Sequence, residues 1–217
     1  MYKYVILDFG KVLAFPTTGE WFITPLFYKL IDMNKVNKDD ILLSISKHND
    51  IISRPAKTLG EEYQMFYDLY EIIFKDINYE VNEDIIHSLA HNFTYEDDKY
   101  EFYDNIEEEL KYLSKKYKLI LLSDNWPCAL PIMKNRGLDK YFEKMYISSI
   151  YNSKKEEGIF FDYPINDFNI NDGEAIFVDD NESLLDVAIT KCLDVRLMDR
   201  DNTVESKYIK INNLFEL

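Results

Sequence analysis

Acidic side chains stand directly after two short apolar runs in this sequence, a position where carboxylates can bind cations. Asp8 follows the apolar residues 5–7, and the pair Asp179 and Asp180 follows residues 175–178. Three carboxylates brought together form an oxygen-rich set of ligands of the kind that Mg²⁺ prefers. Each carboxylate also has a plain structural explanation, because Asp often begins a turn or caps a helix.

Groups that bind anions follow two other apolar runs. Ser123 follows residues 119–122, and Lys154 and Lys155 follow residues 144–147 at a short distance. A hydroxyl and an ammonium group both donate hydrogen bonds to anions such as phosphate. Ser123 can also cap a helix, and the lysines can also be solvated surface residues. Because polar groups follow four separate runs, a shared site explains them better than four independent coincidences.

The apolar runs are typical of strands buried on both faces of a parallel sheet, because they are short and nearly continuous. The predicted strands are residues 5–7, 119–122, 144–147, 175–178 and 194–198. The helical patterns between them are residues 105–116, 160–168 and 183–191, with a further helix that closes at Gly137. This alternation predicts a doubly wound, five-stranded parallel α/β sheet of the Rossmann type. Such sheets bind ligands outside the carboxyl ends of their strands, where the polar groups stand.

A long helical segment interrupts the alternation after the first strand. Apolar residues recur at three- and four-residue spacing through residues 20–90, which predicts four helices in a small bundle. The predicted domains are an α/β domain of residues 1–15 and 91–217 and an inserted helical domain of residues 16–90. His87 and His91 have the spacing of two metal ligands on one helix face. No third ligand stands nearby in the sequence, so a zinc site is disfavoured.

The composition limits the partners and the compartment. The chain has 217 residues, of which 47% are hydrophobic, enough for one large domain with an insertion. A net charge of −15 disfavours binding to nucleic acids and to anionic membranes, which both require positive patches. Cys128 and Cys192 are too few and too far apart for a disulfide framework or a structural zinc site. No leader peptide or membrane span is recognisable, and we expect a cytoplasmic protein.

The order of these features along the chain resembles the haloacid dehalogenase superfamily. The matching features are Asp at the first strand, a helical insertion, Ser after the second strand, Lys before a helix and an Asp pair after the fourth strand. The stretch AIFVDDNESLLDVA is the most specific match. The resemblance implies a hydrolase, most often a Mg²⁺-dependent phosphatase that forms an aspartyl-phosphate intermediate. It implies a small phosphorylated metabolite, such as a sugar phosphate, as the substrate and the helical insertion as a cap that selects it.

The resemblance also implies roles for individual residues. Asp8 matches the nucleophile and a metal ligand, and Asp180 matches the direct Mg²⁺ ligand, with Asp179 reaching the metal through water. Lys155 matches the catalytic lysine, but Lys154 fits the neighbouring register, because the Pro that usually follows this lysine is absent. The backbone carbonyl of Gly10 is implied as a further metal ligand. The implied phosphate-binding residues are Ser123, Phe9, Gly10, Asp124 and Asn125.

Gly10 is the main departure from the family pattern. Most of the phosphatases have a second Asp there, which protonates the leaving group, and general acid catalysis is worth about 10²–10⁴-fold. A subgroup of sugar-phosphate phosphatases resembles this chain in having Gly at that place, and Lys11 is a candidate substitute. Two other hypotheses stay open: a protein that binds its ligand without turnover, and a haloacid dehalogenase, which uses the same nucleophile. A dehalogenase needs no metal, so the pair of Asp179 and Asp180 argues against it.

Overall fold

A computed structural model describes all 217 residues and divides the chain into two compact units. The first is an α/β unit made of Met1–Phe15 and Phe102–Leu217, and the second is a helical unit made of Pro16–Glu101. The predicted boundary at residue 90 is wrong, because it cuts the helix Glu83–Tyr95. The apolar face of that helix continues to the buried Phe93, and the helix ends where the backbone of Glu96 becomes extended.

The chain forms eight strands and ten α-helices. The strands are β1 (Tyr4–Leu7), β2 (Ala14–Pro16), β3 (Tyr100–Phe102), β4 (Lys118–Ser123), β5 (Phe142–Ile147), β6 (Ala175–Asp179), β7 (Asp194–Met198) and β8 (Lys210–Ile211). The helices are α1 (Pro25–Leu30), α2 (Lys38–Lys47), α3 (Asn49–Ile52), α4 (Leu59–Asp76), α5 (Glu83–Tyr95), α6 (Ile106–Leu113), α7 (Ala129–Asn135), α8 (Ser148–Tyr151), α9 (Ile159–Phe168) and α10 (Glu182–Thr190). None of these helices is long and apolar enough to cross a membrane.

Six strands form one sheet in the order β5-β4-β1-β6-β7-β8, and neighbouring strands run parallel. The predicted parallel α/β fold is confirmed, but the prediction of five strands is wrong. The additional strand β8 has only two residues and pairs with Leu197 and Met198 at one edge of the sheet. A run as short as Lys210 and Ile211 shows neither alternation nor a continuous apolar stretch in the sequence.

The direction in which strands are added to the sheet reverses between β1 and β6. From β1 the chain adds β4 and β5 on one side, and it then adds β6, β7 and β8 on the other. Open α/β sheets bind ligands at such a switch point, outside the carboxyl ends of the strands. Leu7 pairs with Leu121 on one side and with Val178 on the other, so the segments after β1 and β6 emerge side by side.

Burial on both faces explains why the central strands are almost wholly apolar. Val5, Ile6 and Leu7 are fully buried, and all five residues of β6 are buried as well. Phe161 of α9 and Leu185 of α10 belong to the same buried cluster as Ile6, so these two helices cover one face of the sheet. Polar side chains can therefore emerge only where the central strands end.

The helical unit contains five helices instead of the predicted four, because the short α3 follows α2 without an apolar period of its own. Thr58 and Glu61 form a capping box, which fixes the start of α4. α4 and α5 pack through aromatic side chains, and the ring centroids of Phe66 and Phe93 are 3.7 Å apart. Both rings are fully buried, so these two aromatic residues belong to the core of the helical unit.

Candidate functional site

The carboxylates that follow β1 and β6 lie together at the switch point of the sheet. The backbone N–H of Asp8 donates to the carbonyl of Val178 at 3.0 Å, which continues the pairing of the two strands and places Asp8 beside Asp179. Carboxylate oxygens of Asp8, Asp179 and Asp180 all lie within 4.8 Å of one another. Three anionic groups this close destabilise one another unless cations neutralise them. Their oxygens have the chemistry of a divalent-cation site.

Lys155 supplies one positive charge to this group. Its Nζ atom lies 2.8 Å from Oδ1 of Asp8 and 2.6 Å from Oδ2 of Asp179, and its side chain is only 2% exposed. The backbone N–H of Lys155 donates to Oδ1 of Asp124 at 3.2 Å, which fixes the start of the 3₁₀ helix Lys155–Glu157. Burial alone lowers the pKa of Lys155, but the carboxylates of Asp179, Asp8 and Asp124 outweigh it and raise that pKa. Lys155 therefore contacts both Asp8 and Asp179.

Asp179 and Asp180 stand in different surroundings. Asp179 is 1% exposed, and both of its oxygens accept hydrogen bonds, from Lys155 Nζ and from the backbone N–H of Asn181 at 2.9 Å. The side chain of Asp180 is 27% exposed and lies 3.2 Å from Nζ of Lys11. Burial raises the pKa of both carboxyl groups, against the lowering effect of the nearby lysines. Asp180 is thus the more accessible of the two to a ligand.

The loop after Asp8 is closed by its own backbone. The carbonyl of Phe9 accepts the N–H groups of Leu13 at 2.9 Å and Ala14 at 3.1 Å, and the N–H of Lys11 donates to the carbonyl of Ala14 at 2.7 Å. Gly10 pairs with Ala14 in an isolated bridge, and the backbone of Lys11 is left-handed, with a φ of +53°. The ring of Phe9 is fully buried. Phe9, predicted to bind phosphate, can therefore do so only through its backbone.

A buried ion pair that the sequence did not reveal contacts the same loop. The guanidinium of Arg200 donates to both carboxylate oxygens of Glu109, at 2.8 and 2.9 Å, and its Nη2 also donates to the carbonyl of Val12 at 2.6 Å. Glu109 in turn accepts the backbone N–H of Leu214 at 3.1 Å. The one available signal was an arginine two residues after the end of β7, near a place where other strands of this chain end in site residues.

The end of β4 and the segment after it contain three of the residues predicted to bind phosphate: Ser123, Asp124 and Asn125. Ser123 is the last residue of β4 and is 1% exposed. The Oδ1 atom of Asn125 accepts the backbone N–H of Trp126 at 2.8 Å, so this oxygen stabilises its own loop. The backbone N–H of Asn125 donates to Oγ of Ser148 at 3.1 Å, which ties the segment to α8. Asp124 binds the backbone of Lys155 and so positions the lysine.

The two histidines of α5 contact different partners. Nδ1 of His87 lies 2.5 Å from the hydroxyl of Tyr63, and its Nε2 lies 3.6 Å from Glu83. Nδ1 of His91 lies 4.0 Å from Glu96. The three carboxylates at the switch point are the group of three potential metal ligands that the structure brings together. The chemistry of a metal centre is thus concentrated in the α/β unit.

Comparison with known proteins gives a sequence match and several structural matches. Residues 33–197 match the sequence profile of the haloacid dehalogenase-like hydrolase family. No curated protein has a sequence similar enough to this chain to count as a relative. The structure is similar to a HAD-hydrolase of Bacillus subtilis bound to magnesium, with a TM-score of 0.68 and 13% identity, over 99% of this chain and 96% of that chain.

Two further structures differ in the activity that their names state. A HAD phosphatase from Thermococcus onnurineus has a TM-score of 0.59 and 17% identity, over 99% of this chain and 95% of that chain. A 2-haloacid dehalogenase from Pseudomonas syringae has a TM-score of 0.67 and 14% identity, over 99% of this chain and 95% of that chain. At such identities the similarity shows a shared fold, and the choice between the two chemistries depends on the site itself.

Proposed function

Because this chain belongs to the haloacid dehalogenase-like hydrolase family, we propose that it is a Mg²⁺-dependent phosphatase that hydrolyses monoesters of small metabolites. The observation that carries the proposal is the group of Asp8, Asp179 and Asp180, whose carboxylate oxygens lie within 4.8 Å of one another. Halide displacement from a haloacid needs a carboxylate nucleophile and no cation. A second and a third carboxylate at the same place are an electrostatic cost for that reaction and a ligand set for phosphoryl transfer.

The donor set fits a magnesium ion. Asp8 and Asp180 would hold it directly with the carbonyl of Gly10, and Asp179, whose oxygens are both engaged within the protein, would reach it through water. The partial exposure of Asp180 supports its assignment as a direct ligand. Bound there, Mg²⁺ neutralises phosphoryl oxygens and so reduces their repulsion of an attacking carboxylate. Hard oxygen ligands of this kind favour Mg²⁺ over softer metals.

Several residues of the chain have separate roles in the proposed reaction. The carboxylate of Asp8 attacks phosphorus, the ester P–O bond breaks, and the bonding pair leaves with the alcohol oxygen. Water then attacks phosphorus of the aspartyl phosphate, the bond to Asp8 breaks, and phosphate is released. Lys155 orients Asp8 through the 2.8 Å contact and screens its charge. Ser123 and the backbone beside Gly10 would bind the phosphoryl oxygens.

A dehalogenase is the second candidate, because structures of 2-haloacid dehalogenases share the fold. A panel of phosphate monoesters assayed for phosphate, beside 2-chloropropionate assayed for chloride, separates the candidates. We expect phosphate release that requires Mg²⁺ and stops with EDTA. Chloride release without phosphate release would replace the proposal with the dehalogenase. Release of neither phosphate nor chloride would indicate a protein that binds its ligand without turnover. Asp8→Asn is the control for a contaminating enzyme, since any activity that survives this substitution does not belong to the site.

A further inference from the structure

Lys11 occupies a backbone conformation that does not suit a lysine. Its φ of +53° lies in the left-handed region, where the Cβ atom meets the following carbonyl. Elsewhere in the chain the non-glycine residues with positive φ are Asn78, Asn152, Asn169, Asn202 and Cys192. Asn tolerates this conformation well and is the residue that the chain uses most often for it. A lysine at position 11 is thus unfavourable for the backbone, and its side chain must account for its presence.

The loop holds this side chain at the group of carboxylates. Three backbone hydrogen bonds between residues 9 and 14 close the loop, so the Cα atom of Lys11 has a fixed position. Its Nζ atom lies 3.2 Å from Oδ2 of Asp180, while the side chain remains 58% exposed. Lys155, the other lysine in contact with the carboxylates, is buried between two of them. Lys11 can therefore donate hydrogen bonds to a ligand, whereas the ammonium of Lys155 is enclosed by carboxylates.

The charge of Lys11 becomes more available when a divalent cation is bound. The cation neutralises Asp180, which is the partner of Lys11 in the structure. An ammonium group next to a bound cation is then attracted to the most negative group in reach, which is the substrate. Gly10 carries no side chain, so the place beside Lys11 in the loop holds no competing acid. The negative charge that develops during P–O cleavage lies on the leaving oxygen.

We propose that the ammonium of Lys11 binds the leaving oxygen of the substrate and stabilises the charge that develops there, an inference that rests on the proposed phosphatase function. As Asp8 attacks phosphorus, the leaving oxygen takes the bonding pair and accepts a hydrogen bond from Lys11 while its negative charge develops. A solvent water protonates the leaving oxygen as the alcohol departs. The hydroxide formed is neutralised by the proton lost when a second water attacks the aspartyl phosphate, so one water is consumed overall. Lys11 thus replaces proton donation by electrostatic stabilisation.

Two variants separate the charge of Lys11 from its backbone. Lys11→Asn removes the charge and introduces a residue type that the chain has elsewhere at positive φ. Lys11→Arg keeps the charge. Glycerol 2-phosphate has a poor leaving group that depends on stabilisation, whereas p-nitrophenyl phosphate has a phenolate that leaves without help. We expect Lys11→Asn to lower kcat/KM by about 10²-fold for the alkyl ester. For the aryl ester we expect a decrease in kcat/KM that is smaller by a factor of about ten or more. Lys11→Arg should retain most of the activity on both esters.

Binding measurements distinguish this role from mere support of Asp180. Calorimetric titration with Mg²⁺ reports whether the cation site survives in Lys11→Asn, and thermal unfolding reports whether the fold does. Equal losses on the two esters would overturn the inference, as would a loss of Mg²⁺ affinity that accounts for the whole effect. If the wild-type protein with saturating Mg²⁺ releases phosphate from neither ester, the proposed function falls and the inference with it. An active wild type with equal losses overturns the inference alone.

Discussion

Replacement of Lys155 with methionine tests whether the buried carboxylates need a counter-ion for the fold itself. The ammonium lies 2.8 Å from Asp8 and 2.6 Å from Asp179, and all three side chains are buried. Methionine is similar in length and carries no charge, so Lys155→Met leaves two carboxylates side by side. Removal of one partner of a buried ion pair costs about 3–5 kcal/mol. We expect a decrease of this size in the free energy of unfolding at neutral pH without Mg²⁺.

Proton uptake sets an upper limit to this loss and makes it depend on pH. Protonation of a carboxyl group costs about 1.4 kcal/mol for each pH unit above its ordinary pKa of about 3.9, so neutralising one group at pH 7 costs about 4 kcal/mol. In the Lys155→Met variant, the pKa of one of these carboxyl groups in the folded state is raised above its pKa in the unfolded state. The loss therefore grows as pH rises above about 4 and shrinks as pH falls. Mg²⁺ should also reduce the loss, because it neutralises the same carboxylates.

Urea denaturation followed by circular dichroism, at several pH values and with or without Mg²⁺, measures these effects. Lys144→Met is a matched control, because Nζ of Lys144 also lies 2.6 Å from a carboxylate, that of Asp167, but the two side chains are 43% and 44% exposed. Exposed pairs contribute little, so the control should keep the stability of the wild type. Equal losses in the two variants would refute the reasoning, as would a loss in Lys155→Met that does not change with pH.

Three further predictions concern single carboxylates. Asp8→Asn should abolish phosphate release while the circular dichroism spectrum stays unchanged, and substantial residual turnover would contradict covalent catalysis. Asp180→Ala should weaken Mg²⁺ binding in a calorimetric titration more than Asp179→Ala, and the reverse ranking would exchange the two roles. Hydrogen bonds from the backbone N–H groups of Val204 and Thr203 and from Lys210 lower the pKa of Asp199. The contribution of Asp199 to stability is therefore present above about pH 4 and is lost below it. Urea denaturation should show a lower free energy of unfolding for Asp199→Asn than for the wild type at neutral pH, and this difference should disappear in acid. A difference that persists in acid would disprove the assignment.

The residues at the strand ends could be predicted because burial determines where those strands end. Asp8, Ser123 and Asp179 each follow a run of side chains that is buried on both faces, and parallel strands end at one edge of a sheet. The choice between Lys154 and Lys155 could not be made in this way, because both follow the strand at some distance. The fold makes it through Asp124, whose carboxylate binds the backbone of Lys155 and turns this lysine inward.

Contacts made by loop residues could not be predicted from local patterns. The contact of Lys11 with Asp180 depends on a left-handed backbone at one residue, and a lysine gives no sign of that conformation. The ion pair of Arg200 and Glu109 joins residues 91 positions apart, and each stands among other polar residues in the sequence. Periodicity reports which face of an element is buried, whereas these contacts depend on how loops close after the elements have packed.

The hydrogen bond from Arg200 to Val12 also determines when the site can form during synthesis. It joins residues 188 positions apart, and β6, which places Asp179 beside Asp8, is made only after the helical unit. The helical unit is one continuous segment, Pro16–Glu101, whose contacts are comparatively local, and such segments fold quickly. On the ribosome the inserted helices can therefore fold while the loop after Asp8 still lacks both β6 and Arg200. Asp8 is made before the helical unit, but it reaches its final surroundings only after β6 and Arg200 have been made.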